Sequence, residues 1–357
     1  MNVSVTIKDV AREAKVAPST VSRVISDSPR ISEQTKRKVR KVMEELGYHI
    51  NYNGRVLVNQ STQTIGIVTK VSSVHSFDNP FFSELLRGIS DACHEEDYSI
   101  YLTTGNTEEA IFKEVVKMVQ GKRVDGVIVL YSRQDDKVVP YLRECNFPFV
   151  MIGKPVGQAS ETMYVDNDNV LASKEVTEYL MNLGHERIGF IGGDYHFEVA
   201  RDRLEGYRQA LANGNLKEDK DLQKNIQTGF ADAEQVVEEL LDVKDPPTGL
   251  VITDDYNALT VMRSLTEHGL QLPEDMSIVG FNNTMIARLS NPALTTVDTQ
   301  SFQLGHESAR NLIDLLNRPD MIKKSVIIPT VIVERDSCYS RNAETDKGHE
   351  ERKEGEK

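Results

Sequence analysis

The chain has 357 residues, with 42 Lys plus Arg against 55 Asp plus Glu for a formal net charge of −13, 39% hydrophobic residues, three Cys and no Trp. Its length implies roughly two to three domains, and its composition excludes a disordered or fibrous chain. No run approaches the roughly 18 apolar residues of a membrane span, the first residues lack the apolar stretch of a secretory signal, and Cys93, Cys145 and Cys338 cannot close a disulfide framework, so a cytoplasmic protein away from the membrane is expected. The charge is unevenly spread. Residues 1–60 hold eleven Lys/Arg against six Asp/Glu, while the remainder carries 31 against 49. A small basic module on a large acidic one suggests a nucleic-acid-binding end joined to something else.

Thr6 precedes Ile7, Val10, Ala11 and Ala14, the apolar stripe of a short helix, with Thr6 and Asp9 placed as a capping box. Pro18 suits the first turn of a second helix to Ser26, which buries Val21, Val24 and Ile25 and turns Ser19, Thr20, Ser22 and Arg23 outward. Ser32 caps a third helix with a stripe of Val39, Val42, Met43 and Leu46, ending at Gly47. Three short helices around one core make an all-α helix-turn-helix module.

From Thr64 onward, β-rich runs alternate with helical segments. Expected strands are Ile65–Val68, Ser99–Leu102, Gly126–Leu130, Phe149–Ile152, Tyr164–Val165, Ile188–Gly192, Gly249–Thr253, Ile278–Phe281 and Val326–Val333. Expected helices include Phe82–Glu95, Leu171–Leu183, Ala231–Leu241 and Tyr256–His268. Such alternation implies doubly wound parallel sheets, and the number of strands favours two α/β subdomains with a cleft between them. Ligands of such folds bind beyond the carboxyl ends of strands.

The string Thr6-Ile7-Lys8-Asp9-Val10-Ala11, then Val16, Ser19-Thr20-Val21-Ser22-Arg23-Val24 and Leu46-Gly47-Tyr48, resembles the lactose/galactose repressor family of bacterial transcription factors. The resemblance spans about residues 5–338. It implies a helix-turn-helix DNA-binding domain (1–50), a hinge helix and linker (51–62), a periplasmic-binding-protein-like ligand-binding and dimerisation domain (63–338) and, beyond it, a disordered charged tail (339–357). It further implies that the second helix enters the major groove of a pseudo-palindromic operator and reads bases from Pro18, Ser19 and Arg23. Arg23 either pairs bidentately with guanine or touches phosphate. Thr20, Thr35, Tyr48 and Asn51 fit phosphate contacts, and Ile7 and Ser22 belong to the same DNA-facing set. Lys36, Arg37, Lys38, Arg40 and Lys41 form either a solvated face or further DNA contacts. In the hinge, Leu57 holds the position of the family's minor-groove wedge. Ile50 and Gly54 depart from the family's usual Pro and Ala, which makes the hinge depend more on DNA for its order.

In the large domain, Phe77-Asp78-Asn79-Pro80-Phe81-Phe82 matches a family element whose aromatics Phe81 and Phe82 either floor the cleft or belong to the next helix's core. Arg203, in Arg203-Leu204-Glu205-Gly206-Tyr207, holds the position of the family's ligand-contacting arginine, against the plainer reading of an ion pair with Asp202. Phe230 stands where an aromatic stacks on the ligand. Of Asp254 and Asp255, one caps a helix and the other is left to face the cleft. Asn282 replaces the family's frequent Asp, and an amide still donates to and accepts from a sugar.

The Asn-Pro-Phe-Phe element, Gly153-Lys154-Pro155 and Tyr164-Val165-Asp166-Asn167-Asp168 are most similar to Gram-positive maltose/maltodextrin regulators within the family. The resemblance implies a homodimeric repressor of a sugar-utilisation operon, released from its operator by a small sugar. It leaves open another sugar or purine with a small-molecule or protein co-repressor. No Gly-x-Gly-x-x-Gly, P-loop, Gly-x-Ser-x-Gly, His-Glu-x-x-His or Cys-x-x-Cys occurs, so no enzyme, cofactor or metal is expected. A sugar-binding protein that does not bind DNA would share the cleft but have no use for residues 6–58.

Overall fold

The structure, a computed structural model, describes residues 5–48, 61–69, 79–157, 159–226 and 229–342, without the side chains of 229–231. The expected contacts Asn51 and Leu57, with Ile50 and Gly54, lie outside the described residues, as do Phe77 and Asp78 and the tail from 343. The chain divides into two compact units, Met1–Gln63 and Thr64–Lys357.

The first unit contains α1 (Ile7–Glu13), α2 (Pro18–Ile25) and α3 (Glu33–Glu45). Asp9 accepts from the Thr6 backbone N–H at 3.0 Å and hydroxyl at 2.6 Å, and Ser32 Oγ accepts from the Thr35 N–H at 3.3 Å, so the first and third helices start where the sequence places them. Val10, Ala11, Ala14, Val21, Val24, Val39 and Val42 make the shared core.

The second unit holds β1 (Thr64–Val68), α4 (Pro80–Glu95), β2 (Ser99–Leu102), α5 (Glu108–Gln120), β3 (Gly126–Val129), α6 (Val138–Glu144), β4 (Phe149–Ile152) and β5 (Tyr164–Asp166). These are followed by α7 (Asn169–Asn182), β6 (Ile188–Gly192), α8 (Glu198–Asn213), β7 (Gln223–Asn225), α9 (Gly229–Leu241), β8 (Gly249–Ile252), α10 (Asp255–Glu267), β9 (Ser277–Phe281) and α11 (Met285–Leu289). The chain continues through β10 (Thr295–Asp298), α12 (Ser301–Asn317), β11 (Ser325–Ile327) and β12 (Val331–Val333). Two six-stranded sheets form, ordered β11-β5-β4-β3-β1-β2 and β12-β10-β9-β8-β6-β7. All pairings are parallel except β10 with β12. The central strands are buried along their length, as sheets covered by helices on both faces require, and each sheet has an apolar cluster on either side.

The expected single strand Val326–Val333 is corrected. Pro329 and Thr330 interrupt it, and its halves join different sheets, β11 beside β5 and β12 beside β10. The chain therefore passes between subdomains three times, after β5, after β10 and after β11. The start of the expected tail is corrected too. Tyr339–Asn342 are tied down, with the Tyr339 N–H donating to Ser277 Oγ at 2.9 Å, Arg341 N–H to the Leu183 carbonyl at 2.7 Å and Asn342 Nδ2 to the Asn182 carbonyl at 2.8 Å. Arg341 and Asn342 cap the open carbonyl end of α7, a role that needs backbone and amide donors rather than apolar side chains. Among the described residues no helix is long and apolar enough to cross a membrane.

Candidate functional site

In the helical unit, Pro18, Ser19 and Arg23 are exposed on α2, while Thr20 and Ser22 are half-buried. Among the described residues the Arg23 guanidinium has no partner, so its five donors remain available to a base edge or phosphate. Ile7 and Tyr48 are half-buried and pack on the core, and the Thr35 hydroxyl lies 2.9 Å from that of Ser32, the residue that caps α3. The basic run on α3 splits by facing. Lys36 is 5% exposed and turns inward, with Nζ 3.0 Å from both Asp27 and Glu33, and Arg40 reaches Asp27 at 2.7 Å. The Lys36 hydrogen bond holds the Asp27 carboxyl below the ordinary carboxylate range. Arg37 and Lys38 remain exposed without an ion partner among the described residues.

In the α/β unit, the loops at the carboxyl ends of the strands meet between the subdomains. Asp254 caps α10 by accepting from the Tyr256 and Asn257 N–H groups at 2.9 and 3.2 Å through Oδ1. Its Oδ2 accepts from Asn282 Nδ2 at 3.1 Å and, across the cleft, from Asn79 Nδ2 at 2.8 Å. Asp254 is thus both the cap and the cleft residue. The expectation that Asp255 faces the cleft is corrected: it is 1% exposed and points beneath β9 and β10, where Thr296 Oγ1 (2.6 Å), Thr284 N–H (2.8 Å) and Thr284 Oγ1 (2.9 Å) use both its oxygens. Those three donors need a buried acceptor, and burial pushes the Asp255 carboxyl up to about 7.

Arg203 is 7% exposed and does not pair with Asp202 at the surface. Its Nε donates to Asn169 Oδ1 at 3.0 Å, its Nη1 donates to the Thr253 carbonyl at 2.6 Å, and the guanidinium lies 4.2 Å over the Phe281 ring. Desolvation lowers its pKa to about 10 against the pull of Asp254, Asp166 and Asp255, so it stays charged at neutral pH. Nη2 has no protein partner among the described residues. Gly206, one turn on, lets α8 touch α7: a Cβ there would sit 2.1 Å from the Val170 carbonyl oxygen.

Asn282 is 8% exposed with φ of 101°, a left-handed conformation that aims its side chain at Asp254. Phe81 and Phe82 form an edge-to-face pair with centroids 5.3 Å apart in the first turn of α4 and pack partly on the adjacent core cluster, the second of the two roles the sequence left open. Phe230 lies in α9, with its side chain outside the described residues.

The structure adds residues that the motifs alone did not single out as site residues. Asp166 accepts from the Lys154 N–H at 2.7 Å and from Asn169 Nδ2 at 3.0 Å, and burial raises its carboxyl to about 6. Asn167 Nδ2 donates to the Thr299 carbonyl at 3.1 Å and the Ile328 carbonyl at 2.9 Å, so one amide ties together all three chain crossings. Backbone bonds also cross the cleft, from Gln134 N–H to His196 O at 2.9 Å and from Glu198 N–H to Ser132 O at 3.0 Å. Ser132 is 6% exposed, and its buried hydroxyl has no partner among the described residues. The Asp166-Asn167-Asp168 run was the sequence signal for part of this set; Ser132 had none. Around the cleft lie a guanidinium, carboxylate oxygens and amides, a donor and acceptor set suited to a neutral polyhydroxylated molecule.

A helix-turn-helix head and a two-sheet cleft domain together define a DNA-binding regulator with a ligand-sensing body. Residues 6–51 match the family model for bacterial regulatory proteins of the lacI family, and residues 177–338 match that for periplasmic binding protein-like domains. The HTH-type transcriptional regulator MalR of Streptococcus pneumoniae is 40% identical over 324 residues, covering 88% of this chain and 93% of that protein. A Staphylococcus structure described as a probable maltose operon transcriptional repressor superposes with a TM-score of 0.71 at 28% identity, covering 78% of this chain and 98% of that one. The lac repressor dimer bound to operator superposes with a TM-score of 0.80 at 25% identity, covering 94% and 99%. The chain belongs to the lacI family of bacterial transcriptional regulators, which is not a family of enzymes.

Proposed function

We propose that this protein is a dimeric cytoplasmic repressor of a maltose or maltodextrin operon, bound to a pseudo-palindromic operator through α2 and the hinge and released when sugar occupies the cleft. The observation that carries this reading is the Asn79–Asp254–Asn282 link together with Arg203 Nη2. The Asn79–Asp254 bond bridges the two subdomains, and Asn282 and Arg203 stand beside it as polar partners for sugar hydroxyls, so a ligand there would bias the angle between subdomains. A ligand shifts such an equilibrium only through different affinities for the two arrangements. The likeness to MalR of Streptococcus pneumoniae and to the Staphylococcus maltose operon repressor supports maltose as the sugar. The likeness to the lac repressor dimer on operator supports two copies per operator.

A thermal-shift screen over maltose, longer maltodextrins, trehalose, sucrose and purines, followed by operator titration with each hit, tests the proposal. Maltose or a maltodextrin should raise the unfolding midpoint and weaken operator binding. A response to purines alone, or a sugar that strengthens operator binding, would overturn it.

A further inference from the structure

We propose that Asp91, Glu95 and His306 form a site for a divalent transition-metal ion of the zinc class on the outer face of the α4 and α12 pair, away from the sugar cleft. Asp91 and Glu95 stand one turn apart on α4, and His306 faces them from α12. One ligand atom from each of the three lies within 4.8 Å of the others. His306 Nε2 is 3.7 Å from Asp91 Oδ2 and 3.9 Å from Glu95 Oε2. Both separations exceed a hydrogen bond, which ends near about 3.5 Å. They approach the spacing of two ligands on one shared ion: metal–ligand bonds of about 2.0–2.1 Å at a tetrahedral angle place their donor atoms roughly 3.3–3.4 Å apart. A contraction of a few tenths of an ångström brings each carboxylate to that distance from the imidazole, within reach of two exposed side chains, and solvent would supply the fourth ligand of a tetrahedral shell.

The supporting scaffold is rigid. Gly88 and Gly305 bring the two helices into backbone contact, since a Cβ on Gly88 would meet the Phe302 carbonyl oxygen at 2.0 Å and one on Gly305 the Leu85 carbonyl oxygen at 2.1 Å. The imidazole is further held by stacking on Phe302, with ring centroids 5.9 Å apart, and Arg87 lies 4.3 Å over the Phe302 ring. Its side chain is 14% exposed, and Nδ1 is buried without a partner, so Nε2 is the nitrogen presented to the carboxylates. Two carboxylates one turn apart on a helix repel each other; a dication neutralises both. An imidazole with two carboxylates selects zinc-class ions over magnesium or calcium, which prefer all-oxygen shells.

Such an ion would staple the two helices that lead away from the cleft. Asn79, at the head of α4, bonds Asp254 across the cleft, and Thr299, two residues before α12, is held by Asn167.

The test uses the full chain without an affinity tag, titrated with Zn²⁺ by calorimetry after chelator treatment. One ion should bind per chain, unaffected by a hundredfold excess of Mg²⁺. Affinity should fall at least tenfold in Glu95→Gln and in His306→Ala, and remain unchanged in His94→Ala, which alters an exposed imidazole on the same helix. Glu95 is exposed, so its variant keeps the test sound even where loss of the packed His306 ring impairs folding. Absence of stoichiometric binding, displacement by Mg²⁺, equal affinity in Glu95→Gln, or loss in His94→Ala would each overturn the proposal.

Discussion

Replacing Asn167 with Ala tests whether the three crossings act as one joint. The side chain is 5% exposed, and its amide supplies a donor to the carbonyls of Thr299 (3.1 Å) and Ile328 (2.9 Å), which lie on the second and third crossings while Asn167 lies on the first. Alanine leaves two buried carbonyl oxygens unpaired. Each lost bond contributes about 1 kcal/mol net, and an orphaned buried acceptor costs more, so a destabilisation of about 2–4 kcal/mol is expected. In a domain of this size each kcal/mol moves the midpoint by about 2–4 °C, giving a fall of roughly 4–16 °C. The joint also sets how cleft geometry is transmitted, so the factor by which sugar weakens operator binding should shrink. Circular dichroism melts report the first quantity, and operator titrations with and without maltose report the second. A midpoint within about 1 °C of the parent and an unchanged sugar effect would refute the reasoning.

Arg203→Lys keeps the charge but loses the fork that reaches Asn169 and Thr253 while presenting Nη2. Sugar affinity should fall at least tenfold, about 1.4 kcal/mol, with operator binding intact in a gel shift; a thermal response to sugar equal to the parent's would contradict the assignment. Arg23→Ala should cost about 1–3 kcal/mol of operator affinity and relax the preference at one base pair, whereas a uniform loss across all DNA sequences would reassign Arg23 to phosphate. Asp255, raised from an ordinary 3.8 to about 7, holds a proton in the folded chain that the unfolded chain has already released between these values. Its contribution therefore makes stability fall as pH rises from about 4 to 7, by about 1.4 kcal/mol per pH unit, and level off above. Asp255→Asn should remove that slope in denaturant titrations across this range, and parallel profiles for parent and variant would show that Asp255 titrates elsewhere.

The strands that were legible in the sequence are the apolar ones: Ser99–Leu102, Phe149–Ile152 and Ile188–Gly192 begin and end where their Val, Ile and Phe content places them. Gln223–Asn225 is wholly polar because it is an edge strand, with one side open, and no hydrophobic pattern marks it. Thr295–Asp298 escaped notice because its buried threonines satisfy their hydroxyls locally, Thr296 through Asp255, rather than by being apolar. The assignment of Val326–Val333 to two sheets depends on three-dimensional crossings that no local pattern encodes. In the cleft, family spacing brought Arg203, Asp254 and Asn282 to notice, but adjacency could not decide which of two neighbouring aspartates turns inward. That choice is set by Thr284 and Thr296, which approach from other strands and loops. The metal-ligand set was invisible for the same reason, since its histidine and its carboxylates belong to helices far apart in the chain.

Under the proposed function, sugar in the cleft and operator on the head oppose each other. Fluorescence anisotropy of a labelled operator, titrated with the full chain across maltose concentrations, measures this directly. Calorimetric titration of maltose into the chain, free and operator-bound, supplies the reverse leg. Saturating maltose should weaken operator binding at least tenfold, and operator should weaken maltose binding by the same factor, as linkage requires. Maltose that binds equally well with and without operator would contradict it.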